Sequence, residues 1–431
     1  MTTRIPITIN PEFVNCSFPG FPPGNHLILL VLRHDFRAFS KQNLKVGILS
    51  MLGIVLLGAI FYSPVWWVSL TAPNYPAESF PDGVRIQFHI NGVFNGCKKQ
   101  DKAEIQEDEA LDCVHEMDTI NHYVGMYPIA AGGPVERGYG QFLMVFLAVM
   151  LLGFLCIKPK VRMLILSVGF GGIAVWMYLA MFTADGFHLQ NAGYVEALVT
   201  AMDQDASDTS TDEPEIVIGG ITGVLKKSLE DSGVEVVLPS ELEKQQDMES
   251  GGASAKEQLI EQLKITYDID QAKSSKPEVW NGSTFQVMTW HYEKSLGRYF
   301  NNQEEIVPMV ETLKIAIHVA FWGLVAAMLL LIWGGRQNKG ILYWLLVLVP
   351  MALPLFFIID YSAWLWWYGH TLNDMGAFSV KPFMPTVFGD GKVAQFATHS
   401  YPDKGFGLMM VLFVVLAFAA LIRRKQFSEA E

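Results

Sequence analysis

Apolar residues in this chain gather into long uncharged runs, separated by polar stretches of very different length. Each run approaches the ~20 residues a helix needs to cross the hydrocarbon of a bilayer. Helices suit that setting because they satisfy their own backbone hydrogen bonds. The predicted spans are 46–70, 142–157, 163–182, 313–333, 341–359 and 406–422. Trp66-Trp67 closes the first as an interfacial pair. Pro350 and Pro354 fall inside the fifth and predict a kink there. Lys158, Lys160 and Arg162 separate the second and third spans, Arg336 and Lys339 the fourth and fifth, and Arg423-Arg424-Lys425 follow the sixth. By the positive-inside rule these basic turns are cytoplasmic, and so are both termini. The expectation is an all-α polytopic protein of the bacterial inner membrane, with about six transmembrane helices and a mixed α/β extracytoplasmic insert.

The polar stretches then take their places. Residues 1–45 read as a cytoplasmic tail, because the apolar run at 27–32 is too short to span and no small-residue cleavage site follows it. An outer loop covers 71–140, a membrane hairpin 141–182, an outer insert 183–312, a second hairpin 313–359, a second outer loop 360–405, and a cytoplasmic tail 423–431. In the first outer loop, 84–90 alternates like a strand and Asn95-Gly96 signals a turn. Acidic residues in 101–112 read as a solvated face. Within the insert, 203–215 reads as an acidic linker, 216–238 as a strand–helix–strand unit, and 241–269 as amphipathic helix broken at Gly251-Gly252. Asn281-Gly282-Ser283 matches a glycosylation sequon.

Composition narrows the function. Half of the 431 residues are hydrophobic, and the net charge of −12 comes with no basic stripe, which argues against nucleic acid as a partner. Cys97 and Cys113 share one outer loop, where an oxidising compartment favours a disulfide. No CxxC, CxxCH, GxSxG or HExxH occurs, and Gly219, Gly220 and Gly223 lack nucleotide-binding spacing. What stands out is histidine with methionine in the outer loops. His122 and Met126, four apart, share a face if their stretch is helical. With His370, His399 and His89 they form a candidate metal set. Imidazole with thioether suits copper, Cu(I) above all; it also resembles axial ligation of haem, the alternative cofactor. Asp360 could orient His370 from behind. The alternative for each residue is an ordinary place in a packed loop. His318 is the only histidine within a span, so bis-histidine haem inside the bilayer is disfavoured. A quinol-linked electron-transfer subunit would use the aromatic cluster 364–368. A ligand-free scaffold or docking protein is a further reading, and a transporter would need more polar groups in its spans.

Several pieces resemble a poorly characterised group of bacterial membrane proteins encoded beside nitrous oxide reductase and its copper-site assembly genes. They are Ala72-Pro73-Asn74-Tyr75-Pro76, Ile120-Asn121-His122-Tyr123-Val124-Gly125-Met126, Tyr368-Gly369-His370-Thr371-Leu372 and Lys381-Pro382-Phe383-Met384-Pro385, continued by Gly391-Lys392-Val393-Ala394-Gln395-Phe396 and Ser400-Tyr401-Pro402. The chain departs from that group by its outer insert, and by Asn373-Asp374 where Asp-Pro is expected. The resemblance implies an accessory role in copper handling, with a periplasmic enzyme or membrane complex as partner.

Overall fold

The computed structural model describes residues 41–429 except 74, 76–79, 98–112, 209–254, 275, 338–339, 380 and 394. The expected tail before residue 41, the acidic 101–112 stretch and the 216–238 unit therefore lie outside the described residues. Five helices are long and apolar enough to cross a membrane: α1 (Lys41–Phe61), α3 (Pro134–Leu155), α4 (Pro159–Phe182), α8 (Gln303–Gly334) and α11 (Lys404–Glu429). A bent pair, α9 (Ile341–Met351) and α10 (Leu353–His370), adds a sixth if taken as one span, with a 65° bend at the break. Pro350 and Pro354 flank Ala352 at that break, where each removes a backbone donor.

The centre of the bundle is α3. Its apolar window is 72% buried, against 22–33% for the other long spans. Glycines let its neighbour α4 approach closely: a Cβ at Gly153 would stand 2.6 Å from Leu166, and one at Gly169 2.7 Å from Val149. The remaining helices leave outward stripes such as Ile48, Val55, Val168, Val175, Ile315 and Val319 exposed, apolar faces of the kind lipid covers.

One end of the bundle is closed by arginine. Arg162 donates to the carbonyls of Cys156, Gly335 and Gln337, and its guanidinium lies over the Tyr343 ring. Arg423 donates to the carbonyls of Phe154 and Leu155 and to Asn43. Both side chains are fully buried. Cations here complement the C-terminal carbonyls of α3 and α8. The N-terminus of α1 and the C-terminal part of α11 meet at this same end.

The opposite end carries a composite domain. A five-stranded antiparallel sheet has the order β3-β2-β1-β5-β4, with β1 (Trp66–Thr71), β2 (Val84–His89), β3 (Gly92–Asn95), β4 (Gly389–Val393) and β5 (Phe396–Pro402). Two loops more than 300 residues apart are thus joined by the β1–β5 pairing, which sets Val68 opposite Ser400. Helix α2 (Cys113–Val124) covers one part of the inner sheet face through Val84, Ile86, Val114 and Met117, while α10 covers another through Trp66, Tyr361 and Leu365. The insert contributes α5 (Ala192–Asp208), α6 (Ala255–Lys273) and α7 (Thr284–Gly297) around Tyr194, Leu198, Leu263, Tyr267 and Trp290.

Three expectations need correction. The first span does not run to residue 70: α1 stops at Phe61, because Pro64 cannot continue a helix and restricts Ser63. Trp66 and Trp67 are strand residues rather than an interfacial pair, and the Trp66 indole donates to Ser400 Oγ in the interior. The described sheet is built from the two outer loops and the described elements of the insert are helical, while the strand–helix–strand unit expected at 216–238 lies outside the described residues and is not one of the three. The hairpin turn is at Ile90-Asn91, leading into Gly92 with φ 159°, so Asn91-Gly92 marks it. Asn95 forms a second, smaller turn by accepting from the Cys97 N–H.

Candidate functional site

The two loops carrying the NHYVGM and YGH motifs do meet, and they meet through backbone. Helix α2 ends because Gly125 takes φ 94°, a left-handed value that glycine adopts without strain. The Met126 N–H returns to Asn121 O at 2.7 Å and closes the helix end. Asn373 N–H then donates to Gly125 O, also at 2.7 Å, and Gly376 lies against Gly125 so closely that neither could carry a side chain there. Lys381 Nζ donates to Asn373 O. Glu305, at the start of α8, accepts from Tyr127 OH at 2.6 Å and from the Asn373 amide at 3.3 Å. Burial, and then the bond to Glu305, push the Tyr127 phenol up from its ordinary value. Tyr368 OH donates towards the carbonyls of Pro128 and Ile129.

The five candidate ligands go to different places. His122 stacks on Tyr299 at 4.7 Å and tilts over Phe300, and burial lowers its pKa. Met126 is buried beyond the helix end, so the shared helical face expected for His122 and Met126 is not formed. His370 stacks on Trp366 at 4.4 Å, and its Nδ1 donates to the Trp366 carbonyl. His399 Nδ1 is 2.6 Å from Asp390 Oδ1, and its Nε2 is 3.3 Å from Thr71 Oγ1. His89 sits edge-on to Phe94, with its pKa lowered by burial above all. His399 is level with Ser69 and Arg85 in the sheet, whereas His89 lies two strands across and four residues along. At ~3.3 Å per residue and ~4.8 Å per strand, that places them about 16 Å apart. His122 and His370 occupy ring stacks with no partner in common. Among the described residues, no three His, Cys, Asp or Glu side chains are grouped to hold a metal ion. Asp360 lies on α10, ten residues before His370, whose Nδ1 is engaged by Trp366 instead.

Cys97 and Cys113 are joined, with Cα atoms 5.9 Å apart, which ties β3 to the start of α2. The insert is locked to α2 by an ion pair that sequence reading did not single out. Asp118 Oδ2 is 3.4 Å from Arg298 Nη1, the side chains being 0% and 5% exposed, and Asp118 Oδ1 accepts from the Ile129 N–H. A signal was available: Asp118 interrupts the apolar stripe Val114, Met117, Ile120 and Val124 of an amphipathic helix, where a lone charge calls for a partner.

The outer sheet face is the surface left open. Arg85 lies 4.2 Å above the Trp67 ring, Trp67 packs on Tyr401 at 5.4 Å, and Phe388 at the β4 end is 66% exposed and reaches Tyr401. Asp390 accepts from His399 and Tyr401; the His399 bond, first, holds its carboxyl below the usual range. No family model, curated protein or solved structure matches the chain.

Proposed function

We propose that this chain is a multi-pass accessory protein of the bacterial inner membrane whose outer domain docks an extracytoplasmic partner protein. The single observation behind this reading is the open aromatic sheet face of Trp67, Tyr401 and Phe388, with Arg85 stacked on it. Aromatic residues and arginine are the side chains that dominate protein-interface energetics. The motif loops are used to hold segments together. The proposed orientation, with the basic end at Lys158 to Arg162 and Arg423 to Lys425 in the cytoplasm, is supported by the positive-inside rule and by the disulfide at the other end. The resemblance to proteins encoded beside nitrous oxide reductase makes a copper enzyme, or its assembly apparatus, the partner class. Copper handling by the chain itself and quinol-linked electron transfer are the rival proposals, separated by metal analysis and a visible spectrum of the purified protein.

Photo-crosslinking tests the docking surface in intact cells. A crosslinker at Phe388 should give one discrete adduct, lost when Trp67 and Arg85 are both changed to alanine. The same crosslinker at Val279, 88% exposed on the insert, serves as control. Equal adducts from both positions, or none from 388, would remove the reading.

A further inference from the structure

A cavity of about 190 Å³ lies between β3, the turn Ile129–Ala131 and α5. Its walls are mostly apolar, with Val93 and Phe94 from β3, Val114 from α2 and Ala197 and Ala201 from α5, and Asn95 and Thr200 add neutral polar groups. Two charges break this lining. Arg137, only 6% exposed, lies at the floor, and Glu196, exposed on α5, stands at the rim.

Arg137 is an unusual residue to bury here. It sits in the first turn of α3, the positive end of that helix, where a cation is disfavoured. Its Nη2 donates to Ala130 O at 2.6 Å and its Nε to Gly133 O at 3.4 Å. Both acceptors are neutral. A guanidinium has five N–H donors in a planar fork, and no acceptor among the described residues takes the Nη1 hydrogens. Two carbonyls only partly offset the desolvation of a buried cation. A carboxylate presented from the cavity would complete the fork, in a charge-assisted bond of the strong kind.

The rim decides what else that ligand carries. Glu196 makes the rim negative, which disfavours entry of a simple carboxylate. An amine alone would leave Arg137 uncompensated, and a neutral apolar molecule would engage neither charge. We propose that this cavity binds a small zwitterion of amino-acid type, with its carboxylate on Arg137, its ammonium on Glu196 and an apolar side chain against β3 and α5. The volume agrees with so small a ligand, being below the ~300–1,000 Å³ of sites for drug-sized molecules.

Titration calorimetry on the full chain in detergent tests this, with L-leucine and L-phenylalanine as probes. Isocaproate lacks the amine of leucine, and isoamylamine lacks its carboxylate. At least one amino acid should bind, and isocaproate and isoamylamine should each bind at least about tenfold more weakly than leucine. Glu196→Gln should weaken amino-acid binding by about tenfold or more. Arg137→Gln should abolish it, but Arg137 also holds the turn before α3, so the decisive variant is at the rim. Thr200→Trp places a bulky ring at an exposed lining position and should abolish binding while the ligand-free Tm is unchanged. The proposal is overturned if neither amino acid binds, if isocaproate binds as tightly as leucine, or if Thr200→Trp binds like wild type.

Discussion

Removing the Asp118 carboxylate should uncouple the insert from the first outer loop. At 3.4 Å, the attraction between Asp118 and Arg298 amounts to about 5 kcal/mol for an effective dielectric of ~20. Desolvation offsets much of this in the intact pair. It does not do so in Asp118→Ala, which leaves Arg298 buried without that carboxylate and the Ile129 N–H without its acceptor. Breaking a buried pair in this way costs about 3–5 kcal/mol. The pair joins α2 to the segment after α7, and His115 Nδ1 also contacts Arg298 Nη2 at 3.0 Å, so the damage should be local to these elements. Hydrogen exchange followed by mass spectrometry reads it directly. At tenfold per ~1.4 kcal/mol, protection of the α2 and α7 amides should fall at least about 100-fold, while α1 and α11 are unaffected. Asp118→Ala combined with Arg298→Met should recover much of the loss, because an apolar pair leaves no charge stranded. High salt should not mimic the defect, since a buried pair is poorly screened. The exposed pair Lys314–Glu311, by contrast, should be worth ~1 kcal/mol at most. If Asp118→Ala kept α2 and α7 protection within about threefold of wild type, the ion pair would not be what couples them.

Changing Cys97 and Cys113 together to serine should lower stability by about 3 kcal/mol, as expected for a bridge spanning 16 residues, and should make Tm insensitive to reductant; a wild-type Tm already indifferent to dithiothreitol would contradict this. His291 gives a pH dependence: burial first, then the Arg137 charge, lower its pKa from 6.5 to about 3. Between those values the unfolded chain binds more protons than the folded one, so this contribution is fully present above pH 6.5 and is lost as pH falls towards 3. His291→Gln should flatten Tm against pH across that window, and an unchanged slope would show that other groups control it.

The architecture was legible where one physical rule acted alone. Runs of apolar residues wide enough for a bilayer located the five long apolar helices among the described residues, and Pro350 with Pro354 located the bend. Alternation located β2 within one residue. The rule failed at residue 61, where hydropathy alone carried the first span through Pro64 into Trp66 and Trp67. The aromatic pair satisfies an interfacial reading and a strand reading equally well, and only the Pro64 break separates them. The partner strand β5 is more than 300 residues away, which no local pattern can reveal.

The candidate site shows a different limit. Softness of histidine and methionine selects a metal, but it carries no information about direction. Direction is set by Gly125: once that residue turns the chain, Met126 enters the core while His122 is left on Tyr299 and Phe300. The residues that bring the motif loops together are instead Gly125, Gly376, Asn373 and Glu305, two with no side chain and two without metal softness. Gly125 and Gly376 are needed because backbone approaches backbone there, and Asn373 supplies its N–H, carbonyl and amide to Gly125, Lys381 and Glu305 at once. A motif of histidine, tyrosine and glycine can therefore be a joint as readily as a ligand set. In this chain the glycines and the asparagine make the joint.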